Sequence, residues 1–320
     1  MITLSKLAAM AHVSVSTASK AFSMSPEVNE QTREMIFRIA KEQGCFKKYF
    51  SAKYPKYVIA VICPEYQSQF YADALSALQA ALSEFGCEIC VASTDFSQEK
   101  ERDLLKYYNH YADVDSIIMI HGSVLDDFHS DLPIVTIYSS GHYGTADITC
   151  DYRQALEAAV EHLLQKGIGK IGFIGDRYTK LKQGWFRDVT ARLGLCADDC
   201  PVEVSDRRFE QGGYQAMATI LAAGQPPGGI LCAYDYMAIG AIRCLLDHGF
   251  SVPEDVAVIG MDDIDQAQYL NPSLSSIRFP TRECCQTAAQ AMMAYLTGKP
   301  FDSPLVLPCR LQLRESSYLP

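Results

Sequence analysis

Apolar positions near the N-terminus recur at helical spacing: Leu4, Leu7, Ala8 and Ala11 fall on one face. The small side chains of Ala8 and Ala11 let a second helix cross closely. Residues 11–13 read as the turn, and Ser14 is a good N-cap for the helix that follows. On that helix Ala18, Ala21 and Phe22 point inward, leaving Val15, Ser16, Thr17, Ser19 and Lys20 to point outward. A third helix is predicted over 29–43, capped by Asn29 and stopped by Gly44, with Ile36, Ile39 and Ala40 on its apolar face.

From Tyr57 the rhythm changes. Continuous apolar runs predict buried strands at 57–63, 88–92, 116–120 and 134–138, separated by helices at 70–85 and 98–111 and a short helix after 120. A second set follows the strand 146–150. Its helices are predicted at 152–165, 184–193, 212–223 and 235–248, and its strands at 170–174, 202–205, 229–233 and 256–259. A last helix, 281–296, is expected to return to the first set. Strands that alternate with helices imply parallel sheets covered on both faces. The two similar sets imply duplicated lobes rather than a short-period solenoid.

Charge changes the picture. The chain carries −10 overall, yet residues 1–57 hold nine Lys/Arg against four Glu, a net of +5, which leaves −15 for the rest. A basic head on an acidic body suits nucleic-acid contact confined to the head. The outward face of the second helix fits a major groove. Its hydroxyls allow close approach, Val15 can touch a thymine methyl, and Lys20 can reach guanine acceptors. Ser14 and Thr17 at the helix N-terminus suit a phosphate.

The twelve cysteines include Cys63, Cys90, Cys150 and Cys232 inside apolar runs, which predicts reduced, buried thiols. Cys87 and Cys90 form a nominal CxxC, but residues three apart on a strand face opposite sides. Cys284–Cys285 and Cys196/Cys200 lack a second ligand cluster. The histidines are scattered, so no metal site is expected. No Ser-His-Asp order, phosphate loop or paired acid/base motif appears, so neither catalysis nor a cofactor is expected. No signal peptide or membrane-length apolar run is present, and a cytoplasmic protein is expected.

Thr3-Leu4, Leu7-Ala8 and the run from Ala11 through Lys20 resemble the headpiece of the lactose-repressor (LacI/GalR) family of transcription regulators. Pro26 through Arg33 resembles the start of that headpiece's third helix. Further on, 157–164, 170–175 and especially Val252-Pro253-Glu254-Asp255-Val256-Ala257-Val258-Ile259-Gly260-Met261-Asp262-Asp263 are similar to the family's body. The resemblance implies an all-α helix-turn-helix headpiece on a two-lobed, periplasmic-binding-protein-like α/β body. It places the headpiece and hinge linker at 1–57 and an effector-binding and dimerisation domain at 58–320. Lobe 1 would take about 58–150 and 280–309, and lobe 2 about 151–279 plus the C-terminal strand. It makes Val15, Ser16 and Lys20 base readers, and Thr3, Ser14, Thr17, Ser19 and Thr32 backbone contacts.

The chain departs from this pattern in three places. His12 replaces the turn glycine, at a position that favours φ > 0, which His tolerates better than most residues. The linker 45–56 is shorter than usual, and its Arg-Pro-Asn gives way to Lys47 and Lys48. In the family the linker forms a short hinge helix on DNA that inserts a leucine. By position Tyr54 or Phe50 replaces it, with Lys53 able to reach phosphate. The third departure is in the ligand cleft. Ligands of open α/β sheets sit beyond the carboxyl ends of strands, where Phe70, Tyr71, Asp151, Trp185, Phe209, Tyr234, Asp235 and Asp262 are the candidates. An arginine common in sugar binders is Leu181 here, an asparagine is Tyr234, and a polar residue is Phe279. The cleft is thus more aromatic, and an aryl glycoside, a nucleoside-like compound and a sugar held differently all stay open.

The sequence therefore predicts a homodimeric, effector-controlled regulator, read first as a repressor of carbohydrate-uptake or catabolic genes. Its partners would be double-stranded DNA with a pseudo-palindromic operator and a small sugar or sugar derivative, with no membrane. The alternatives are a solute-binding or sensor protein of the same body fold, or a regulator acting as an activator or with a corepressor.

Overall fold

The computed structural model describes residues 2–50, 57–123, 128–139 and 144–318. Three helices, α1 (Leu4–Met10), α2 (Val15–Phe22) and α3 (Glu30–Glu42), form the head. Each starts on a hydrogen-bonding cap: Thr3, Ser14 and Asn29 accept from the amides of Lys6, Thr17 and Thr32. His12 takes φ 52° in the α1–α2 turn, and Gly44 takes φ 60° just past α3. Leu7, Ala8, Ala11, Ala18, Ala21, Phe22, Ile36 and Ala40 are buried and make the small core. Arg33 is buried as well. Its Nη2 donates to the carbonyls of Ser25 (2.9 Å) and Val28 (2.8 Å), which fixes the loop between α2 and α3.

A fourth, short helix, α4 (Phe46–Tyr49), follows. Phe46 and Phe50 stack on one another (4.7 Å between centroids) and meet Phe37 edge-on at 5.0 and 5.6 Å. Tyr49 lies 5.7 Å from Phe22, and its hydroxyl donates to the Ile2 carbonyl at 2.7 Å. The first part of the expected linker thus packs onto the head. Phe50, one of the two expected DNA wedges, is used in this packing. Lys53 and Tyr54 lie outside the described residues.

The body has two six-stranded sheets. The first contains β1 (Tyr57–Cys63), β2 (Cys87–Ser93), β3 (Ser116–Ile120), β4 (Ile134–Ile137) and β5 (Ala146–Asp151), with helices α5 (Gln69–Ser83) and α6 (Gln98–His110) between strands. Its order is β2-β1-β3-β4-β5, with β11 (Leu305–Pro308) outside β5. The second contains β6 (Ile171–Asp176), β7 (Val202–Ser205), β8 (Gly229–Cys232), β9 (Ala257–Asp262) and β10 (Ser275–Arg278), ordered β7-β6-β8-β9-β10. The antiparallel β12 (Arg310–Gln312) closes its edge. Helices α7 (Tyr152–Gln165), α8 (Lys180–Arg192), α9 (Phe209–Ala223), α10 (Asp235–Asp247) and α11 (Thr281–Leu296) complete the chain. Both sheets repeat the same doubly wound strand order, which matches the two similar sets read in the sequence.

The short helix expected after 120 is absent among the described residues of that stretch, and 124–127 lie outside them. The chain divides into two compact units. One comprises 1–67, 74–147 and 285–303, the other 68–73, 148–284 and 304–320. No helix among the described residues is long and apolar enough to cross a membrane.

Candidate nucleic-acid interface and effector-binding face

In the head, Ser14 anchors the proposed reading helix. Its Oγ accepts from the Thr17 amide at 2.9 Å and shares a 2.8 Å hydrogen bond with Thr17 Oγ1. Both hydroxyls sit at the α2 N-terminus, where backbone N–H groups favour an anion. Val15, Ser16 and Ser19 are exposed, while Thr17 and Lys20 are half-buried. Val15, at 45% exposure, is a large apolar side chain presented to solvent on a helix whose opposite face is fully buried. Lys20 Nζ pairs with Glu27 at 2.5 Å. That exposed pair is worth only ~0–1 kcal/mol, so it holds Lys20 loosely. Thr3 is committed to capping α1. Thr32 is half-buried, and its amide bonds the Asn29 cap.

All eight effector candidates fall within the second unit. Three of them join a run of five rings: Tyr71, Phe70, Phe279, Tyr152 and Trp185, with successive centroids 5.2, 5.2, 4.0 and 5.1 Å apart. Phe279 and Tyr152 link the two halves. Lys182 lies over the Tyr152 ring at 5.2 Å, donates to the Ala233 carbonyl at 2.7 Å, and is 3.4 Å from Asp262 Oδ1. Leu181, at the position where the resemblance expects arginine, is 54% exposed. The cation is supplied one residue later. Asp262 ends β9 with φ 106°, and burial pushes its carboxyl up to about 6 despite the lowering influence of Lys182.

A second polar group forms where β6 ends. Asp176, 2% exposed, accepts from the Tyr178 amide (2.9 Å) and the Tyr234 hydroxyl, with Arg208 Nε at 3.4 Å. Burial and the carboxylate together push the Tyr234 hydroxyl up. The Arg208 guanidinium lies over the rings of Phe209 (4.5 Å) and Tyr178 (5.3 Å). Phe209 has φ 58°, a strained conformation for a non-glycine residue.

Two candidates have structural tasks. Asp151 caps α7, accepting from the amides of Arg153 and Gln154. Asp235, expected at the ligand face, is fully buried instead. Its oxygens accept from Ser276 Oγ (2.6 Å) and the Ile264 amide (2.8 Å), tying α10 to the strands beside it. A Cβ on Gly260 would sit 2.1 Å from Asp235 Oδ1, so glycine is needed there. Burial raises the Asp235 carboxyl well above the usual carboxylate range.

Lys182, Asp176 and Arg208 were not singled out in the sequence. Asp176 carried a signal, since an acidic residue directly follows the apolar run ending at Gly175. Arg208 carried none. Among the cysteines, none is in a disulfide. Cys90 and Cys150 are half-buried rather than buried, because Cys90 lies on the edge strand β2 and Cys150 on the half-buried end of β5. No cluster of metal-ligating side chains is found among the described residues.

Residues 160–317 match the periplasmic binding protein-like domain family. Catabolite control protein A of Priestia megaterium is 27% identical over 99% of this chain and 99% of its own length. The structure of the transcriptional regulator CelR in complex with cellobiose is 25% identical, with a TM-score of 0.69 over 99% of this chain and 100% of that one. The lac repressor dimer bound to operator and the anti-inducer ONPF is 20% identical, with a TM-score of 0.75 over 99% of both chains. The class is thus a helix-turn-helix headpiece joined to a two-lobed, periplasmic-binding-protein-like α/β body. Over nearly its whole length the chain is similar to transcription regulators of the LacI/GalR kind.

Proposed function

We propose that the protein is an effector-controlled, sequence-specific DNA-binding transcriptional regulator, acting as a repressor of carbohydrate-uptake or catabolic genes in the cytoplasm. The observation that carries this reading is the α2 surface: a capped helix with exposed Val15, Ser16 and Ser19, backed by a closed core, on a chain that continues into an α/β body of two parallel-rich sheets. Residues 1–57 are the DNA-binding part and 58–320 the effector-binding and dimerisation part. The base readers are Val15, Ser16 and Lys20. A headpiece of this size spans only a few base pairs, so a homodimer on a pseudo-palindrome supplies the specificity. Relatives bound to operator DNA and to cellobiose support these partner classes.

The effector is a sugar or sugar derivative held by Asp262 and Lys182 and stacked on the run from Phe70 to Trp185. Asp235 is not part of that site. Chemistry is not proposed, because the polar groups of the face are engaged in ion pairs and caps rather than arranged as a nucleophile with a base. Selection of bound DNA from a random duplex pool tests the reading. A two-fold-related pair of half-sites is expected. A pool that stays random with the protein alone and with sugars added would refute operator recognition.

A further inference from the structure

Three cysteines far apart in sequence meet in the second unit. Cys150 lies at the end of β5, Cys284 in the first turn of α11, and Cys309 between β11 and β12. Cys150 Sγ is 3.4 Å from Cys284 Sγ and also touches the Cys309 thiol. Cys284 and Cys309 are buried, and Cys150 is half-buried. Each lies close to a place where the chain passes from one compact unit to the other: after 147, after 284 and after 303. Cys150 also directly precedes Asp151 and Tyr152, and Tyr152 packs 4.0 Å from Phe279. The thiol cluster therefore adjoins the ring run that ends at Trp185.

We propose that Cys150 forms a reversible disulfide with Cys284, or alternatively Cys309, under hydroperoxide exposure, and that this bond fixes the segments bordering the effector face. Cys150, the most accessible of the three, attacks the peroxide. An S–O bond forms, the O–O bond breaks, and an alcohol or water leaves. The thiol of Cys284 or Cys309 then attacks the sulfenic sulfur, the S–S bond forms, the S–O bond breaks, and water leaves. Two sulfurs lose two electrons in all, and the peroxide gains them. The sulfurs must close from 3.4 Å to ~2.05 Å, a movement that a side-chain rotation can supply. The third thiol stays in reach for exchange, which keeps the bond reversible. Contact with the two neighbouring thiols, then burial, holds Cys150 above the ordinary thiol range. Reaction is therefore slow, and the device answers sustained oxidant rather than brief pulses.

The test uses the full chain with hydrogen peroxide, alkylation of the remaining thiols and peptide mass mapping. A Cys150–Cys284 or Cys150–Cys309 cross-link is expected, removed by dithiothreitol and absent in Cys150→Ala. Cys284→Ala, with its thermal melt recorded, separates loss of the bond from loss of the fold and should divert the link to Cys309. Trp185 is the sole tryptophan, so its emission and quenching report the adjoining face directly. Both should change on oxidation in the parent and stay constant in Cys150→Ala. The effect on regulation rests on the function proposed above. On the selected duplex, oxidation should change affinity by about 5–150-fold, the range of ordinary allosteric coupling. The absence of a cross-link at Cys150 overturns the proposal. A cross-link with unchanged Trp185 emission and DNA affinity overturns its regulatory role. A cross-link in a protein that selects no DNA would instead overturn operator recognition and leave the disulfide standing.

Discussion

Asp262 combines an unusual backbone conformation with a buried carboxyl beside a lysine. Its group titrates at about 6 in the folded protein against 3.8 in the unfolded chain. The folded state therefore holds this proton more tightly than the unfolded state between those values. The stability it contributes is fully present below about 3.8 and is lost as pH rises through about 6, by on the order of 3 kcal/mol. Denaturant melts of the parent and Asp262→Asn between pH 4 and pH 7 should show the parent losing ground to the variant by about that amount as pH rises. A constant difference across the range would mean that Asp262 does not titrate there. In the head, Lys20→Ala should weaken operator binding by roughly 1–3 kcal/mol and relax base preference at one position. Equal losses on operator and random duplex would assign Lys20 to phosphate contact instead. At this scale the sequence was informative wherever a residue's task was local. Ser14 and Asn29 were legible as caps because a cap needs only its own helix. Asp235 was misplaced, because Ser276 and the Ile264 amide, which occupy its oxygens, are distant in sequence.

The helices α9 and α10 show how packing can hide an element's start. The apolar pattern placed the start of α9 at Gly212, yet it begins at Phe209. Gly212 and Gly213 lie inside the helix because side chains there would strike the carbonyls of Arg207 and Met237 at 2.2 and 1.9 Å. Gly240 on α10 is held by the same close approach, with its added Cβ only 1.9 Å from the Glu210 carbonyl. Gly240→Ala should separate the two helices and cost about 1–3 kcal/mol or more in a denaturant melt, despite alanine's better helix propensity. A variant as stable as the parent would show that the helices can part without cost. Helix α4 was missed for a related reason. Phe46, Tyr49 and Phe50 fall at helical i, i+3, i+4 spacing, but a single turn is too short to mark a helix by itself, and packing on Phe22 and Phe37 of the head holds it.

For the molecule as a whole, the engagement of Phe50 in head packing bears on how DNA is bent. With Phe50 occupied, the resemblance leaves Tyr54, outside the described residues, as the candidate wedge at an operator centre. Tyr54→Ala should reduce operator bending, read by electrophoretic phasing or energy transfer across the site, while half-site preference stays unchanged. An unchanged bend would assign the distortion to phosphate contacts by the basic linker. Sedimentation at micromolar protein should give the mass of two chains. A mass of four chains would contradict this.

The sequence by itself determined the alternation of elements, the caps and the turn of the head, and the basic-head, acidic-body division. All of these follow from periodicity, local hydrogen bonding and summed charge, which require no knowledge of distant neighbours. The tertiary structure decided which strand-end residues share a face. It brought Lys182 to Asp262 in place of the expected arginine, grouped Asp176, Arg208 and Tyr234, withdrew Asp235 into the core and gathered Cys150, Cys284 and Cys309. Each of these depends on contacts between segments tens to hundreds of residues apart, and the doubly wound strand order, rather than any local pattern, fixes which segments meet.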